Sequence, residues 1–429
     1  MSNALLENAQ SFGSKAFPGW FHEQQRAAAD QYESLPQPSR RDESWRFANL
    51  QAVDLQDFAP ARPLAADAAA ELTGRSIGVS SADTRLIFAN DELLARPATA
   101  ALPEGVLFLP LAEAMEKHGD LVKEHFMRED TVLGSRKFAA LHRSSLRNGS
   151  FLYVPKGVKL EAPLQAFHWL AGSGQAIFPH TLLIAEENSA VTLVDWFQSV
   201  DDSKGLSCGV NDLWIGKNAT VRYVTVQDWN RQVTSIQSNT TQVAEGALAT
   251  NLALHLGGKY SRSESVSHLN GPGARSEMLA ATVADDAQEF DQRTLQNHRA
   301  PNTGSDLLYK NALYDTAKTI FAGLIRVEPA AHGTDAYQKV RNLVLSDEAE
   351  ANSMPGLEIL ADQVKCSHGA TTGEINAEEL FYMQARGIRA QDAYRLITFG
   401  FLNEVLERFP SGDVRDSLQA SLLGRLRGH

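Results

Sequence analysis

From Phe151 onward the apolar residues fall in short alternating or β-branched runs, separated by Asn, Gly, Pro and Asp. No long helical stripe lies between them, so the pattern predicts strands joined by tight turns. The runs also repeat. Asn188-Ser189-Ala190-Val191-Thr192-Leu193 resembles Asn218-Ala219-Thr220-Val221-Arg222-Tyr223. Both resemble Glu245-Gly246-Ala247-Leu248-Ala249-Thr250 and Gly273-Ala274-Arg275-Ser276-Glu277-Met278. Aligning Ala190, Ala219, Ala247 and Ala274 gives intervals of 29, 28 and 27 residues. A drifting period near 28 points to the coils of a β-solenoid, with a small residue at each tight corner. A β-sandwich of evenly sized hairpins is the competing architecture.

The flanks have a different period. Residues 1–145 read as a mainly helical region with a mixed α/β segment, 146–375 as the strand-rich core, and 376–429 as a C-terminal helical domain. In the first region, Phe17 to Tyr32 has good helix composition and is broken by Leu35-Pro36-Gln37-Pro38. The charged run Arg40 to Phe47 follows, read as a solvated loop held by its two rings, Trp45 and Phe47. Arg85 to Ala89 has strand character, and Leu111 to Phe126 reads as an amphipathic helix. Beyond the core, Asn376 with Glu379 resembles a capping box, and Gly387 ends a short helix. Ala393, Leu396, Ile397, Gly400, Phe401 and Val405 mark a second helix, stopped by Pro410 and Gly412. Val414, Leu418, Leu422 and Leu426 form the stripe of a third. These helices are expected to pack among themselves or on the solenoid end; an apolar stripe left uncovered would be a docking site.

Composition narrows the function classes. The 429 residues carry 40 basic and 52 acidic side chains, a net charge of −12. That balance argues against broad binding to nucleic acid or an anionic membrane. No apolar stretch approaches the roughly 18 residues of a membrane span. Met1 to Asn8 shows no basic start followed by an apolar run, so the expected location is the cytoplasm. Two cysteines, Cys208 and Cys366, fit a reducing compartment and are too few for a disulfide framework or a four-thiolate cluster from this chain alone. No phosphate-cradling Walker motif occurs, so the chain is not expected to bind nucleotide by a P-loop.

The candidate chemistry lies in Val364-Lys365-Cys366-Ser367-His368-Gly369-Ala370-Thr371. On a strand, residues i and i+2 face the same way, which sets the Cys366 thiol beside the His368 imidazole. Thiolate and imidazole suit zinc or iron. Two ligands are half of a four-coordinate site, so a partner chain must supply the rest. Cys208 reads as a packed core thiol, and His255, His268, His298 and His332 as structural or surface residues.

Several segments resemble the SufB/SufD family of iron–sulfur cluster assembly proteins. They are Ser39 to Leu50 and the block from Thr334 to Ile388, with Pro355-Gly356-Leu357-Glu358-Ile359, Cys366-Ser367-His368-Gly369-Ala370-Thr371 and Leu380-Phe381-Tyr382 the most specific. With only two cysteines, the chain resembles the SufD branch of that family more than the SufB branch, whose members typically carry extra cysteines. The resemblance implies a mainly β fold, a right-handed parallel β-helix core with N-terminal and C-terminal helical domains. It implies a non-catalytic scaffold that pairs with SufB through the β-helix core and binds the SufC ATPase through the helices from Leu380 to Phe409. A homodimer is implied when SufB is absent. Cys366 and His368 then match ligands of a transient iron–sulfur cluster shared with SufB. Arg389 departs from the small polar cap expected there.

Two other classes compete. A solenoid can be a carbohydrate-active enzyme, with Asp285, Asp286, Glu289 and Asp291 lining a groove. A thiolate beside an imidazole can also serve a Cys/His hydrolase, although neither an orienting third group nor an oxyanion hole is evident.

Overall fold

Each coil of the core turns on a residue with left-handed backbone geometry. Asn188, Asn218, Gly246, Gly273, Asn302, Gly333 and Gln363 all have φ between 56° and 73°. Each stands two residues before a strand: Ala190–Ser199, Thr220–Asp228, Leu248–His255, Arg275–Ala284, Gly304–Leu313, Asp335–Val344 and Lys365–Gly373. Asn and Gly enter this region at the least steric cost, which explains their recurrence in the repeat. The corner residue, not the alanine, sets the register. Ala190 stacks on Thr220, so Ser189 is the true counterpart of Ala219. The first interval is therefore one residue longer than the alanine alignment gives.

The computed structural model describes Leu5 and residues 17–82, 84–98 and 101–426. Met1 to Asn8, apart from Leu5, lies outside the described residues. Strands from alternate sides of each coil stack in parallel into two sheets, making a β-solenoid of about eight turns. One sheet ends in Lys318–Val327 and Glu350–Ile359, the other in Asp335–Val344 and Lys365–Gly373. At the N-terminal end the sheets also take in strands upstream of residue 146. Thr84–Ala89 pairs in parallel with Leu164–Leu170. The four-residue strands Glu92–Ala95 and Leu107–Pro110 add antiparallel edges.

The interior between the sheets is apolar near the N-terminal end, where Leu86, Leu152, Leu183, Leu193 and Val221 pack together. Toward the other end it becomes polar. Asn211, Asn239 and Ser265 form a hydrogen-bonded ladder up one sheet. Gln292 donates to Asn311, Asn311 to Asn342, and Asn342 to Ser353 and Thr372. The last two bonds tie the terminal coil to the body of the solenoid.

The flanking segments cover the outer faces. The helix Gly19–Ser34 packs on the helix Arg136–Ser145, which lies over Cys208. The expected helix between Leu111 and Phe126 is two, Leu111–Lys117 and Gly119–His125, because His118 leaves helical geometry. In the charged run only Trp45 anchors: it is buried with its ring 3.8 Å from the Arg262 guanidinium, whereas Phe47 is exposed. Arg262 is itself buried against Glu264 and Asp291.

The C-terminal helices Ala390–Glu407 and Asp413–Leu426 dock on the side of the solenoid rather than its end. Leu402, Val405, Leu406, Leu418, Leu422 and Leu426 join the outward residues Val226, Leu254, Leu279 and Leu308 in one core. Lys310, buried on that sheet, pairs with Glu404 and donates to the Phe401 carbonyl 2.8 Å away. Docking at the side leaves the last coil uncovered.

Candidate functional site

Lys365–Gly373 is the outermost strand of its sheet and pairs only inward, with Asp335–Val344. Cys366 lies over Ala336, His368 over Gln338, Ala370 over Val340 and Thr372 over Asn342. The four underlying residues are buried and face the interior. Cys366 and His368 therefore point into the mouth of the solenoid from the same face, as their spacing requires. Successive same-face positions on a strand are roughly 6.6 Å apart, close enough for one metal centre to be reached by both.

Their environments differ. Cys366 is half-buried against Ile325, Val327, Ala331 and Ala336. Burial first, and then the Asp335 carboxylate, hold its thiol above the usual range, opposed by a backbone hydrogen bond at Ala336. Any metal it binds must displace a proton. His368 is exposed. The strand across the mouth, Glu350–Ile359, is half-exposed along most of its length. Both terminal strands thus present a free edge and a partly wet inner face, 10 and 9 residues long. Such edges invite another chain to pair.

Among the described residues no group of three or more His, Cys, Asp or Glu is arranged to hold a metal. Thiol and imidazole are ligand types that suit iron, and Cys366 and His368 both lie at the open end of the solenoid. Cys208 is not near it. It is buried beneath the Arg136–Ser145 helix, its thiol donates to the Phe138 carbonyl at 3.4 Å, and burial pushes it up to about 12. His255 and His298 are buried, both pushed down to about 4 by burial. His268 is buried near Glu129, whereas His332 is exposed.

The carboxylates weighed for glycosidic chemistry are committed elsewhere. Asp285 pairs with Arg231 and Arg425, Asp291 with Arg262 and Arg293, and Glu289 accepts from the Asn49 N–H. Asp286 pairs with Arg231 at the surface.

A second uncovered surface lies on the C-terminal helices. Asn376 caps the helix Ala377–Gln384 by accepting from the Glu378 N–H at 2.8 Å. That helix buries none of its residues, and Phe381 and Tyr382 are exposed. On the following helix Tyr394 and Leu396 are also exposed. Its N-cap, Arg389, makes no capping bond and instead pairs with Asp392 at 2.7 Å. No helix among the described residues is long and apolar enough to cross a membrane.

Sequence reasoning missed what lies below the mouth. Gln338 is fully buried directly beneath His368, and neither of its amide atoms meets a hydrogen-bond partner. The same holds for both amide atoms of Gln296 and for the Thr294 hydroxyl. Aligning the corner residues Gly333 and Gln363 would have put Gln338 and His368 in one column.

Residues 168–401 match the family model described as SUF system FeS cluster assembly, SufBD core domain, and residues 5–166 match the SufBD protein N-terminal region. The iron-sulfur cluster assembly protein SufD of Bacillus subtilis (strain 168) is 28% identical over 426 residues, covering 96% of this chain and 95% of that protein. An iron-sulfur cluster assembly SufBD family protein of Staphylococcus aureus (strain USA300) is 30% identical over 308 residues, 72% of this chain and 66% of that protein. A counterpart in Staphylococcus saprophyticus is 29% identical over 310 residues, again 72% and 66%.

Proposed function

Because the chain belongs to the SufBD family of SUF-system iron–sulfur cluster assembly proteins and is SufD-like, we propose that it is a non-catalytic scaffold subunit supplying half of a cluster-building site. The observation that carries this reading is the placement of Cys366 and His368 in the unpaired terminal coil. A SufB-type partner stacks on that end, adding its own strands to both free edges and the missing ligands to the mouth. The nascent cluster is cargo, held transiently between the two chains and then passed on. A second copy of this chain occupies the same edges when the partner is absent.

The exposed face around Phe381 and Tyr382 takes a SufC-type ATPase, which contacts the segment from Leu380 to Phe409. Nucleotide is bound there and not by this chain. Movement of the ATPase is transmitted by the helix Ala390–Glu407, which is anchored to the sheet through Lys310 and Glu404. That strain opens and closes the mouth. The setting is the cytoplasm, where both thiols stay reduced.

The test is anaerobic iron and sulfide analysis of the complex co-expressed with SufB-type and SufC-type partners. Parent, Cys366→Ala and His368→Ala chains are compared after each is shown to assemble. Loss of cluster in an intact complex, chiefly with His368→Ala, supports the reading. Parental iron and sulfide in both variants reduces the motif to structure and sinks it.

A further inference from the structure

Gln338 occupies a position that packing and stability alone do not explain. Its side chain is fully buried, yet both Oε1 and Nε2 lack a hydrogen-bond partner in the chain. Leaving such a group unpaired costs about 1–3 kcal/mol, and an apolar residue of the same shape avoids that cost. The neighbours make room for the amide. Across the interior stands Gly323, where an added Cβ would lie 2.8 Å from Gln338 Nε2 and 2.7 Å from the Thr294 hydroxyl. The column continues upward to His368, the strand neighbour of Gln338 in the terminal coil, roughly 4.8 Å away.

We propose that Gln338 is a positioning residue for His368. Free of a partner in the isolated chain, its side-chain carbonyl turns to accept the N–H of one imidazole nitrogen when a partner chain closes over the mouth, which fixes the tautomer and aims the other nitrogen's lone pair at the metal of the cargo. Histidine ligands almost always donate their second nitrogen to such an acceptor. No carboxylate stands under the ring to do so: the interior column beneath His368 is Gln338, Leu307 and Met278. The amide is neutral, so it orients the ring without adding negative charge to a half-site whose other ligand becomes a thiolate. This inference rests on the half-site reading of Cys366 and His368.

The experiment separates the two. Gln338→Met keeps the size and removes the acceptor; Gln338→Glu keeps an acceptor. Each is co-expressed with the SufB-type and SufC-type partners and titrated anaerobically with Co(II), whose absorption reports thiolate and imidazole ligation. Thermal unfolding of each variant chain is measured alongside. Expected is Co(II) affinity at least about tenfold weaker for Gln338→Met, recovered in Gln338→Glu, with the Gln338→Met unfolding midpoint equal to or above the parent's. Affinity within about twofold of the parent while His368→Ala loses the signal overturns the role of Gln338 alone. So does a midpoint lowered by several degrees, the mark of an amide kept for the solenoid's own stability through bridging water. Parental Co(II) binding in His368→Ala shows that the half-site reading itself has failed, and the Gln338 inference falls with it.

Discussion

Replacing Phe381 or Tyr382 by alanine separates binding from folding cleanly. Phe381 is 72% and Tyr382 57% exposed, and their helix buries nothing. An aromatic side chain carries on the order of 200 Å², so an ATPase docked as proposed would cover roughly 140 Å² of the first and 110 Å² of the second. At about 25 cal/mol per Å² these areas amount to about 3.5 and 3 kcal/mol. Truncation recovers part of that, because the Cβ and the rim of the patch remain. Each single substitution should therefore cost about 1.5–3 kcal/mol of binding, roughly ten- to 150-fold in Kd. The free chain should lose no stability with Phe381→Ala, since alanine is the better helix former and the helix buries nothing; Tyr382→Ala also gives up the Arg386 guanidinium 3.5 Å over its ring, an exposed contact that amounts to about 0.5–1 kcal/mol at most. Titration calorimetry against a purified SufC-type ATPase gives the Kd, and thermal unfolding of the free chain gives the control. Leu402→Ala on the buried side of the next helix should show the opposite pattern, a stability loss of about 2–5 kcal/mol. If both aromatic variants bind within twofold of the parent, the argument from uncovered area to docking face is refuted.

Two further outcomes follow from the interior. His168 is stacked between Phe88 and Phe197 at 5.4 and 5.0 Å, and burial pushes its imidazole down to about 3. The unfolded chain gains that proton near pH 6.5, so this residue's contribution is intact above pH 6.5 and is lost progressively as pH falls toward 3. Between pH 7.5 and 5 the loss is about 2 kcal/mol. His168→Phe should flatten the urea-unfolding free energy by that amount over that range, and an unchanged pH slope would show the ring is not held neutral. Gly323→Ala places a Cβ 2.5 Å from the Phe321 ring and 2.7 Å from Thr294 Oγ1. It should lower stability by about 1–3 kcal/mol; an unaltered urea midpoint would mean the interior there is loose.

The repeat was legible because corners are local: an Asn or Gly two residues ahead of a strand needs no distant partner to be recognised. The Cys366–His368 pair was legible for the same reason, being two residues apart on one strand. What depended on distant residues was not. Trp45 is buried because Arg262 lies beneath it, a pairing no local pattern carries. The C-terminal helices show their apolar stripe in sequence but not which surface receives it. The stripe of Leu418, Leu422 and Leu426 meets the flank of the solenoid because Val226, Leu254 and Leu279 point outward there. Gln338 reads as an ordinary polar residue in an alternating strand. Only the stack of coils shows that it faces inward, buried and unpaired beneath His368.

The two ends of the solenoid are unlike, and that bears on how many chains the proposed contact can join. At one end the sheets stop in antiparallel strands of four residues. At the other they stop in long parallel strands with free edges. A unit with two sticky ends would add copies head to tail without limit. If the proposed adhesive face is the only one, joining would be mouth to mouth, and the first joining would consume both mouths. An assembly built through the mouth as proposed would therefore terminate at a pair of solenoids, which would keep a protein made largely of stacked strands from growing into a fibre.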